Sequence, residues 1–592
     1  MLLLAALTAA LMVLFEIALG VSSQDQFGDH WWTSLSEIID IGSGDNYQER
    51  ILDVLYWALG VAISGSIIAF LTAKVAGVVA KLNTGRSFII DEDHYVIVGW
   101  NTTVFKIFSE IALANENQSK PTIVCINGMK NSEIRSKIDL EYPDQRGIRI
   151  LTRSGNIGLE SELAIVNPNQ ARSIIVLDDV VDSKFNTETT ILSLRKLTEG
   201  KDIPIVAQFS STENIKVLSS LSGSPILPVN KDGIIATITS QAIRNQFVTE
   251  VVMDFLDFDG DEIYFFPSTR VQGKSYKQAM VELGNVSLIG IREGSGGVCI
   301  NPDKNRLIQA DDELIVIATD DDFNFEAFDH DSMEKALNKV EDSEVQLQLK
   351  ERSDLLVLGW SKVGQQIMDN LLPFLQEDSS IKVFYRDSLV SDAPDFSNAP
   401  SSMRTEIQRL ESNSTDGFVD HIQQNEVSAS LILGYNDCLD DADADTLSLM
   451  QTLHLKNAAR ESRHNGAMRV ILQLNDGSKK SLVAEQDRSE FIVSDELSSL
   501  LMTQLAENPP LSQVFDELFS NEGAKINVVP FKVYQDHQKS FDQINTYWQL
   551  VVACLNLDHT CVGFIQDGEL KLNPKKDSPI SLSEDLQAVV IH

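Results

Sequence analysis

DHYVIVGWNTTVFKIFSEIALAN, residues 93–115, contains an apolar strand, a glycine turn and an amphipathic helix in succession. This is how a doubly wound sheet begins. Further apolar runs follow, with helical patterns between them, at residues 122–126, 148–152, 173–177 and 203–209. Continuous apolar strands that alternate with helices indicate a parallel sheet covered on both faces. The sequence therefore predicts a Rossmann-like α/β domain with a nucleotide-like turn at Gly99 and Trp100.

The same opening recurs farther along the chain. Residues 354–368 read DLLVLGWSKVGQQIM, so that Gly359 and Trp360 align with Gly99 and Trp100. The strand-like segments IKVFY, ASLIL and MRVILQL follow. Self-similarity at a long period marks a repeated structural unit.

A second echo lies toward the end of each unit, where residues 300–318 align with residues 572–591. The aligned pairs are Asn301-Pro302 with Asn573-Pro574, Ile308 with Ile580, and Leu314 with Leu586. Two copies of about 240 residues each are therefore expected. Each copy is predicted to hold a doubly wound sheet and a small C-terminal α+β subdomain.

The predicted division of the chain has four parts. They are a membrane pore domain at residues 1–86, a first copy at residues 87–326 with its subdomain at about 250–326, an acidic connector at residues 327–352, and a second copy at residues 353–592 with its subdomain at about 510–592. We expect the connector to be a solvated helix.

Two apolar runs precede the first copy. Residues 1–20 carry one charge, Glu16, and residues 51–73 carry only Asp53. About 20 apolar residues can cross a bilayer, so each run predicts a spanning helix. A removed signal peptide is the alternative for the first run, although this run lacks the basic start and the small-residue cleavage pattern of such peptides.

Basic residues predict the orientation of these spans. Lys74, Lys81 and Arg86 follow the second run in the linker that leads to the first copy, whereas residues 24–48 contain no Lys or Arg. Positive residues favour the cytosolic side. We therefore expect a multi-pass membrane protein whose large C-terminal region is cytosolic.

The segment between the spans, residues 30–45, reads HWWTSLSEIIDIGSGD and predicts a re-entrant hairpin. Residues 31–39 fit a pore helix too short to cross, and irregular backbone at membrane depth must be buried in protein or line water. The predicted selectivity filter follows and consists of Asp40, Ile41, Gly42, Ser43, Gly44 and Asp45. An ordinary polar loop with two glycines is the alternative.

Gly42, Gly44 and Asp45 match the potassium-filter pattern T-V-G-Y-G-D, whereas Asp40 and Ser43 depart from it. Alternating glycines let successive carbonyl groups point toward one axis. In a tetramer, Asp40 would place a ring of carboxylates at one level of the pore, and such rings attract cations, divalent ones strongly. The pattern leaves K⁺, Ca²⁺ and other cations open as the permeant ion.

Composition excludes several classes of function. The formal net charge of −38 argues against a nucleic-acid partner, because binding phosphates requires a basic surface. The five cysteines are odd in number, scattered and without a CxxC pair, so neither a disulfide framework nor a zinc site is expected. No other protein partner is implied.

An enzyme is not expected either. The dinucleotide fingerprint G-x-G-x-x-G brings the backbone close to a pyrophosphate, and neither Gly99 nor Gly359 is followed by its full set of glycines. The pattern therefore disfavours NAD or another nucleotide, although both turns still expose the amides of a helix N-terminus. The histidines form no HxxxH or HExxH pair, and no G-x-S-x-G elbow is present.

Acidic clusters at strand ends suggest Ca²⁺, which takes several oxygen ligands. The first choice is the segment YNDCLDDADAD in the second copy, with Asp437, Asp440, Asp441, Asp443 and Asp445. The corresponding place in the first copy offers Asp178, Asp179 and Asp182. Ligands usually bind at strand ends in open sheets, but a net acidic protein also shows such clusters by chance.

The order of span, filter, span and two nucleotide-binding-like units resembles a channel with a regulator-of-conductance (RCK) gating ring. The sequence motifs resemble the CASTOR/POLLUX channel family more closely. The residues that carry this resemblance are DHYVIVGW at 93–100, ALAN at 112–115, RSGNIGLESEL at 153–163, ARSIIVL at 171–177 and INPDKNRLIQADDELIVIATDDD at 300–322.

The resemblance implies a homotetrameric cation channel in a lipid bilayer, with a cytosolic ring that senses calcium. Plant members of the family lie in the nuclear envelope. This chain lacks a basic nuclear-targeting run, so a prokaryotic plasma membrane is the favoured location. The filter of the family resembles A-D-S-G-N, to which residues 39–43 are only loosely similar.

The predicted mechanism is ligand gating. Ligand binding, with Ca²⁺ as the expected regulator, would favour one ring shape and pull on the linker to the second span. Gly60 and Gly65 are candidate hinges in that span, although small residues are also common at helix contacts. A membrane-anchored nucleotide-binding sensor or oxidoreductase is the alternative function.

Overall fold

The computed structural model describes residues 47–592 except 84, 117–119, 146, 179–186, 210–224, 320–334, 341–351, 412–415, 463–467, 484–488, 521–522, 536–540, 542–543 and 584. The predicted first span and the predicted filter, Asp40 to Asp45, therefore lie outside the described residues, as do Asp179 and Asp182. The chain forms two compact units, residues 1–87 with 130–134, and the remainder.

The described part of the first unit is dominated by helix α1, Tyr47–Asn83. Within it, residues 51–77 form a helix long and apolar enough to cross a membrane, with a mean hydropathy of 2.0 over the most apolar window and few buried residues. The predicted span at residues 51–73 thus lies inside one helix, which continues through Lys74 and Lys81 of the expected linker.

The first copy begins with a parallel six-stranded sheet. Its strands are β1 (His94–Val98), β2 (Thr122–Asn127), β3 (Arg149–Ser154), β4 (Ala171–Val176), β5 (Ile205–Phe209) and β6 (Ile226–Asn230), in the order β3-β2-β1-β4-β5-β6. The helices of this part are α2 (Thr103–Ala114), α3 (Asn131–Glu141), α4 (Glu160–Leu163), α5 (Thr187–Leu197), α6 (Lys231–Arg244) and α7 (Val248–Leu256). β1 and β5 are buried along their whole length, as continuous apolar runs predict for central parallel strands.

An antiparallel four-stranded sheet completes the first copy. It consists of β7 (Glu262–Pro267), β8 (Ser287–Arg292), β9 (Val298–Ile300) and β10 (Glu313–Ala318) in the order β7-β10-β8-β9, with helix α8 (Tyr276–Glu282) between β7 and β8. This small sheet with its helix is the α+β subdomain expected from the sequence.

The second copy repeats this plan strand for strand. Its parallel strands are β11 (Asp354–Leu358), β12 (Ser380–Tyr385), β13 (Arg404–Arg409), β14 (Ala429–Ile432), β15 (Arg469–Leu474) and β16 (Ser489–Val493), in the order β13-β12-β11-β14-β15-β16. The accompanying helices are α9 (Lys362–Leu371), α10 (Asp416–Gln424), α11 (Asp441–Glu461), α12 (Ser494–Glu507) and α13 (Leu511–Phe519).

The second α+β subdomain also matches the first. Its strands β17 (Ile526–Pro530), β18 (Thr560–Gln566), β19 (Glu569–Leu572) and β20 (Gln587–Ile591) have the order β17-β20-β18-β19, and helices α14 (Phe531–Gln535) and α15 (Tyr547–Leu555) lie between β17 and β18. The predicted duplication is confirmed at the level of topology.

The duplication also extends to single hydrogen bonds. Ser275 with Gln278 and Thr546 with Gln549 form capping boxes at the starts of α8 and α15. Each next residue is a buried tyrosine that donates to a backbone carbonyl, Tyr276 to Leu288 at 3.1 Å and Tyr547 to Cys561 at 3.2 Å. The motifs SYKQ and TYWQ are thus a repeat signal that we did not predict.

The two α+β subdomains share one hydrophobic core. Ile308 and Leu314 of the first copy and their predicted equivalents Ile580 and Leu586 of the second are all buried within it. Both copies contribute residues to this core. Its burial removes a large apolar area from water and so joins the copies.

Polar contacts between these subdomains are reciprocal. Asn301 and Asn573, which the sequence aligns, both have a left-handed backbone, with φ of 49° and 40°. Asn301 accepts a hydrogen bond from Thr560 at 2.7 Å, and Asn573 accepts one from Ser287 at 2.9 Å. Asn301 therefore contacts the start of β18 in the second copy, and Asn573 contacts the start of β8 in the first copy.

The described part of the acidic connector is not solvated on all sides, and the solvated helix that we expected for residues 327–352 stays a prediction. Of its residues, 335–340 and 352 are described, and Ala336, Leu337 and Val340 are buried in the shared core of the α+β subdomains. The connector is acidic overall, but it contains these three apolar residues, whose spacing places them on one side of a helical turn.

Candidate functional site

The turn of the first copy requires a glycine. Gly99 has a φ of 92°, and a Cβ atom there would lie 2.7 Å from the carbonyl oxygen of Leu177. Its amide donates to Ile126 at the end of the neighbouring strand at 2.9 Å. Trp100 follows, is 3% exposed, and packs edge to face against Phe105 with ring centroids 5.6 Å apart.

The turn of the second copy has the same geometry. Gly359 has a φ of 85°, and a Cβ atom there would lie 2.1 Å from the carbonyl oxygen of Leu433. Trp360 is 1% exposed and lies against Phe396, with ring centroids 6.3 Å apart. In both copies the indole that follows the glycine is part of the protein core.

Protein groups already bind the amides at the helix starts that follow these turns. The side-chain oxygen of Asn101 accepts from the amide of Thr103 at 3.1 Å. In the second copy, the carboxylate of Asp437 accepts from the amide of Lys362, the first residue of α9, at 2.8 Å. A nucleotide phosphate would use amides at this position, so it would compete with Asp437 for the amide of Lys362. Whether a nucleotide binds stays a prediction.

The remaining carboxylates of the Asp437–Asp445 segment have separate tasks. Asp440 caps α11 by accepting from the amide of Asp443 at 2.9 Å. Asp445 is 1% exposed and accepts from Asn475 at 2.8 Å, from Asp476 at 3.1 Å and from the Lys479 ammonium at 3.0 Å.

No group of three or more His, Cys, Asp and Glu side chains in the described part of the chain is arranged to hold a metal ion. The carboxylates of the Asp437–Asp445 segment are therefore not arranged as a complete set of calcium ligands in this structure. In the first copy, the backbone of Asp178 is bound to the side chains of Asn101 and Gln208. Whether these predicted residues bind calcium stays a prediction.

A groove of about 950 Å³ brings the predicted turn of the first copy together with the acidic segment of the second. Trp100, Thr102 and Phe105 line the first-copy side, and Asp441 and Asp445 line the other side. The sequence identified these two features separately, and the fold places them in one cavity of the size that holds small ligands.

Asp441 lines this groove, and its carboxyl group has a pKa above the ordinary range. Burial raises the pKa of Asp441, and the negative charges of Asp495, Asp445 and Asp440 raise it further, whereas Lys231 opposes them. A cation bound in the groove would lower this pKa, because an opposite charge favours the ionised form.

Helix α12 of the second copy contributes Asp495 and Glu496 to the lining of the groove. Near its start, Asp495 accepts a hydrogen bond from Thr102 of the first copy at 2.5 Å and forms an ion pair with Lys231 at 3.0 Å. The groove therefore contains a direct link between the start of α2 in one copy and α12 in the other.

The last residue of α12, Glu507, binds the first copy a second time. Its carboxylate pairs with Arg172 at 2.9 Å and accepts from Tyr95 at 2.5 Å and from Asn115 at 3.2 Å. Burial and the charge of Glu507 raise the pKa of Tyr95, so the phenol remains a donor. α12 is thus held by the first copy at both ends.

Sequence reasoning did not find Asp495, Glu507 or their partners. These residues are single polar positions in helices and strands, and their contacts join residues hundreds of positions apart in the chain. The motifs quoted for the family resemblance contain all three partners of Glu507, namely Tyr95 in residues 93–100, Asn115 in ALAN and Arg172 in residues 171–177.

The proposed hinge glycines lie within α1. The helix is continuous through Gly60 and Gly65, and Gly65 has no neighbouring atom within 4 Å of the position that a Cβ would take. Neither glycine interrupts the helix in this structure, and their role stays a prediction.

Comparisons with known proteins agree with this architecture. A family model described as Castor and Pollux, part of voltage-gated ion channel, matches residues 232–334. The probable ion channel CASTOR of Oryza sativa subsp. japonica is 24% identical over 581 residues, which cover 91% of this chain and 64% of the rice protein. The ion channel CASTOR of Lotus japonicus is 24% identical over 591 residues, covering 91% of this chain and 68% of that relative.

Among solved structures, the human SLO3 gating ring is similar, with a TM-score of 0.57 at 14% identity over 84% of this chain and 99% of that chain. These matches confirm the resemblance seen in the sequence and the fold class of two tandem RCK-type domains. The names of both relatives describe ion channels and not enzymes.

Proposed function

We propose, from the resemblance to the CASTOR/POLLUX ion channels, that this chain is the subunit of a ligand-gated cation channel. The observation that carries the ligand-gating part is the groove of about 950 Å³ between two RCK-type copies, which Asp495 and Glu496 of α12 help to line. A ligand that fits the groove in only one arrangement of the copies would shift the ring toward that arrangement.

The pore belongs to the same proposal. Four chains would surround it in the cell membrane, each contributing the predicted first span at residues 1–20, the filter Asp40 to Asp45 and α1, which contains the second span. A prokaryotic plasma membrane is the proposed location. K⁺, Ca²⁺ or both would pass, because a ring of Asp40 carboxylates attracts monovalent and divalent cations.

Calcium is the proposed gating ligand, and Asp441 is its first candidate contact. Asp441 lies in the groove near Asp495 and Asp445, whose charges raise its pKa. A divalent cation would relieve this repulsion, and it would compete with Lys231 for Asp495. Since Asp495 also binds Thr102, such a change would reach both copies.

Planar bilayer recording of the purified full chain tests the proposal. We expect a cation current, and the open probability of the channel should change with cytosolic Ca²⁺. Asp441→Asn should shift the half-effective calcium concentration by about tenfold. Asp202→Asn, an equal change of charge at an exposed position before β5, serves as the control and should leave that concentration unchanged. Absence of current under all calcium and nucleotide conditions would contradict the channel function.

Selectivity requires a separate measurement. Reversal potentials under biionic conditions rank K⁺, Na⁺ and Ca²⁺, and Asp40→Thr should shift permeability toward K⁺ because it removes the carboxylate ring. An unchanged ion preference in this variant would contradict the role given to Asp40.

A further inference from the structure

A second cavity, of about 530 Å³, lies between the two copies and shares no lining residue with the groove. Helix α6 of the first copy forms one wall, and α9, α12 and α13 of the second copy form the others. We refer to it as the α6–α12 cavity.

The floor of the α6–α12 cavity is apolar. Leu501 and Leu505 from α12 and Phe515 and Phe519 from α13 line it, and each is at most 9% exposed. The two phenyl rings are stacked, with centroids 5.7 Å apart and planes 10° from parallel. An apolar ligand group would gain free energy by leaving water for this floor.

The rim carries negative charge without a positive counterpart. Asp369 of α9 and Asp516 of α13 line the cavity, and its described lining residues include no Lys, Arg or His. Burial raises the pKa of Asp516, and the nearby Glu517 adds to this effect. Asp369 and Asp516 are both exposed, so a cation could reach their carboxylates from solvent and make favourable charge contacts there.

The polar walls are held in place by bonds of their own. Asn230 caps α6 by accepting from the amide of Gly233 at 3.1 Å. Asn370 of α9 donates to Thr237 of α6 at 3.4 Å, which links the two copies at the cavity wall. An apolar floor with a few fixed polar groups at the rim is the usual construction of a small-molecule site.

We propose that the α6–α12 cavity binds a small organic cation with an apolar body, namely a protonated aryl or alkyl amine. The ammonium group would lie at Asp369 and Asp516, and the apolar body would lie on Leu501, Leu505 and the phenyl rings. None of its described lining residues belongs to the predicted pore or to the groove.

Binding of three probes with one carbon skeleton tests this assignment in the full chain. Calorimetry compares 3-phenylpropylamine, which is cationic at neutral pH, with neutral 3-phenylpropan-1-ol and anionic 3-phenylpropanoate. We expect the amine to bind about tenfold more tightly than the alcohol, and the carboxylate to bind most weakly. Equal affinity for amine and alcohol, or no binding of the amine at millimolar concentration, would overturn the proposal.

Variants locate the site. The double variant Asp369→Asn with Asp516→Asn should bring the amine to the affinity of the alcohol, and Ser512→Trp at the cavity wall should weaken both probes. Asp202→Asn is the charge-matched control and should leave all affinities unchanged. Retained preference for the amine in the double variant would overturn the proposal, and the comparison of probes on the natural chain requires no variant to fold.

Discussion

Glu507 shows how a single carboxylate can join the two copies. Its side chain is 11% exposed, and its partners Arg172, Tyr95 and Asn115 all belong to the first copy. Removal of one member of a partly buried ion pair leaves the other charge and the donors without their acceptor, which costs more than the pair itself contributes.

We predict that Glu507→Gln destabilises the protein by about 2 kcal/mol. The amide keeps the size of the side chain but loses the charge that Arg172 pairs with. Urea unfolding of the purified chain measures this effect. Glu569→Gln, the same change at an exposed position of β19, should cost less than about 0.5 kcal/mol. Equal effects of the two variants would contradict the role of Glu507.

Glu490 is a second residue that joins the copies, and it has an unusual titration. It lies in β16 and accepts from Thr249 of α7 at 3.3 Å. Burial raises the pKa of Glu490 from 4.5 to about 7, with Arg469 opposing this shift and Glu250 adding to it. The folded protein therefore disfavours the ionised form.

This shift predicts a pH dependence with a definite sign. Because the folded pKa is raised, the contribution of Glu490 to stability is fully present below pH 4.5 and is lost as the pH rises to about 7. Glu490→Gln cannot ionise, so at pH 8 it should be more stable than the natural chain by up to about 3 kcal/mol. Urea unfolding at pH 5 and pH 8 tests this, and an equal difference at both values would contradict it.

At the scale of elements, the strand-to-helix turn is the feature that the chain constrains most tightly. Gly359 needs a left-handed backbone and also approaches the carbonyl of Leu433. Gly568, in the β18–β19 hairpin, has a similar φ of 80° but has no atom within 4 Å of the Cβ position. The two glycines thus separate the cost of backbone conformation from the cost of crowding.

Gly568→Ala should cost about 1 kcal/mol, which is the usual penalty of a left-handed alanine. Gly359→Ala should cost at least about 3 kcal/mol, because the added carbon would also meet the carbonyl oxygen at 2.1 Å. Thermal unfolding of both variants measures the difference. Similar melting temperatures would show that the turn relaxes around the new carbon.

The elements that sequence reasoning found and missed differ in their place in the sheet. Central strands such as β1 and β11 are buried and read as unbroken apolar runs. Among the strands of the two parallel sheets, the sequence analysis missed β6, β13 and β16. All three are edge strands. β13 is exposed along its whole length and β6 contains Pro228, so neither gives the apolar run of a central strand.

At the scale of the molecule, the shared core of the α+β subdomains makes the copies one folding unit. Residues of both copies are buried in it, together with part of the connector. Neither subdomain could unfold alone without exposing the apolar surface of the other.

We therefore predict a single calorimetric transition for the two copies. The wild-type chain and the Asn573→Ala variant, which loses the bonds to Ser287 and Asp261, should each show one transition, with the variant's melting temperature a few degrees lower. Two separated transitions for the copies in the wild-type chain would contradict a common core.

The sequence predicted the two sides of the candidate site separately, but not that they lie together. Glycine spacing identified Gly99 and Gly359, and composition identified the acidic segment around Asp441, because both signals are local. Their meeting in one groove depends on how α12 packs against α2, and that packing is fixed by contacts such as Thr102 with Asp495 across almost four hundred residues. No local pattern in the sequence contains this information.

The bond between Asp437 and the amide of Lys362 has one more consequence. The second copy carries its own anion at the place where a phosphate group would bind. An adenylate or nicotinamide cofactor would have to displace this carboxylate before the helix could hold it. While this bond is intact, the Lys362 amide is not available to a phosphate.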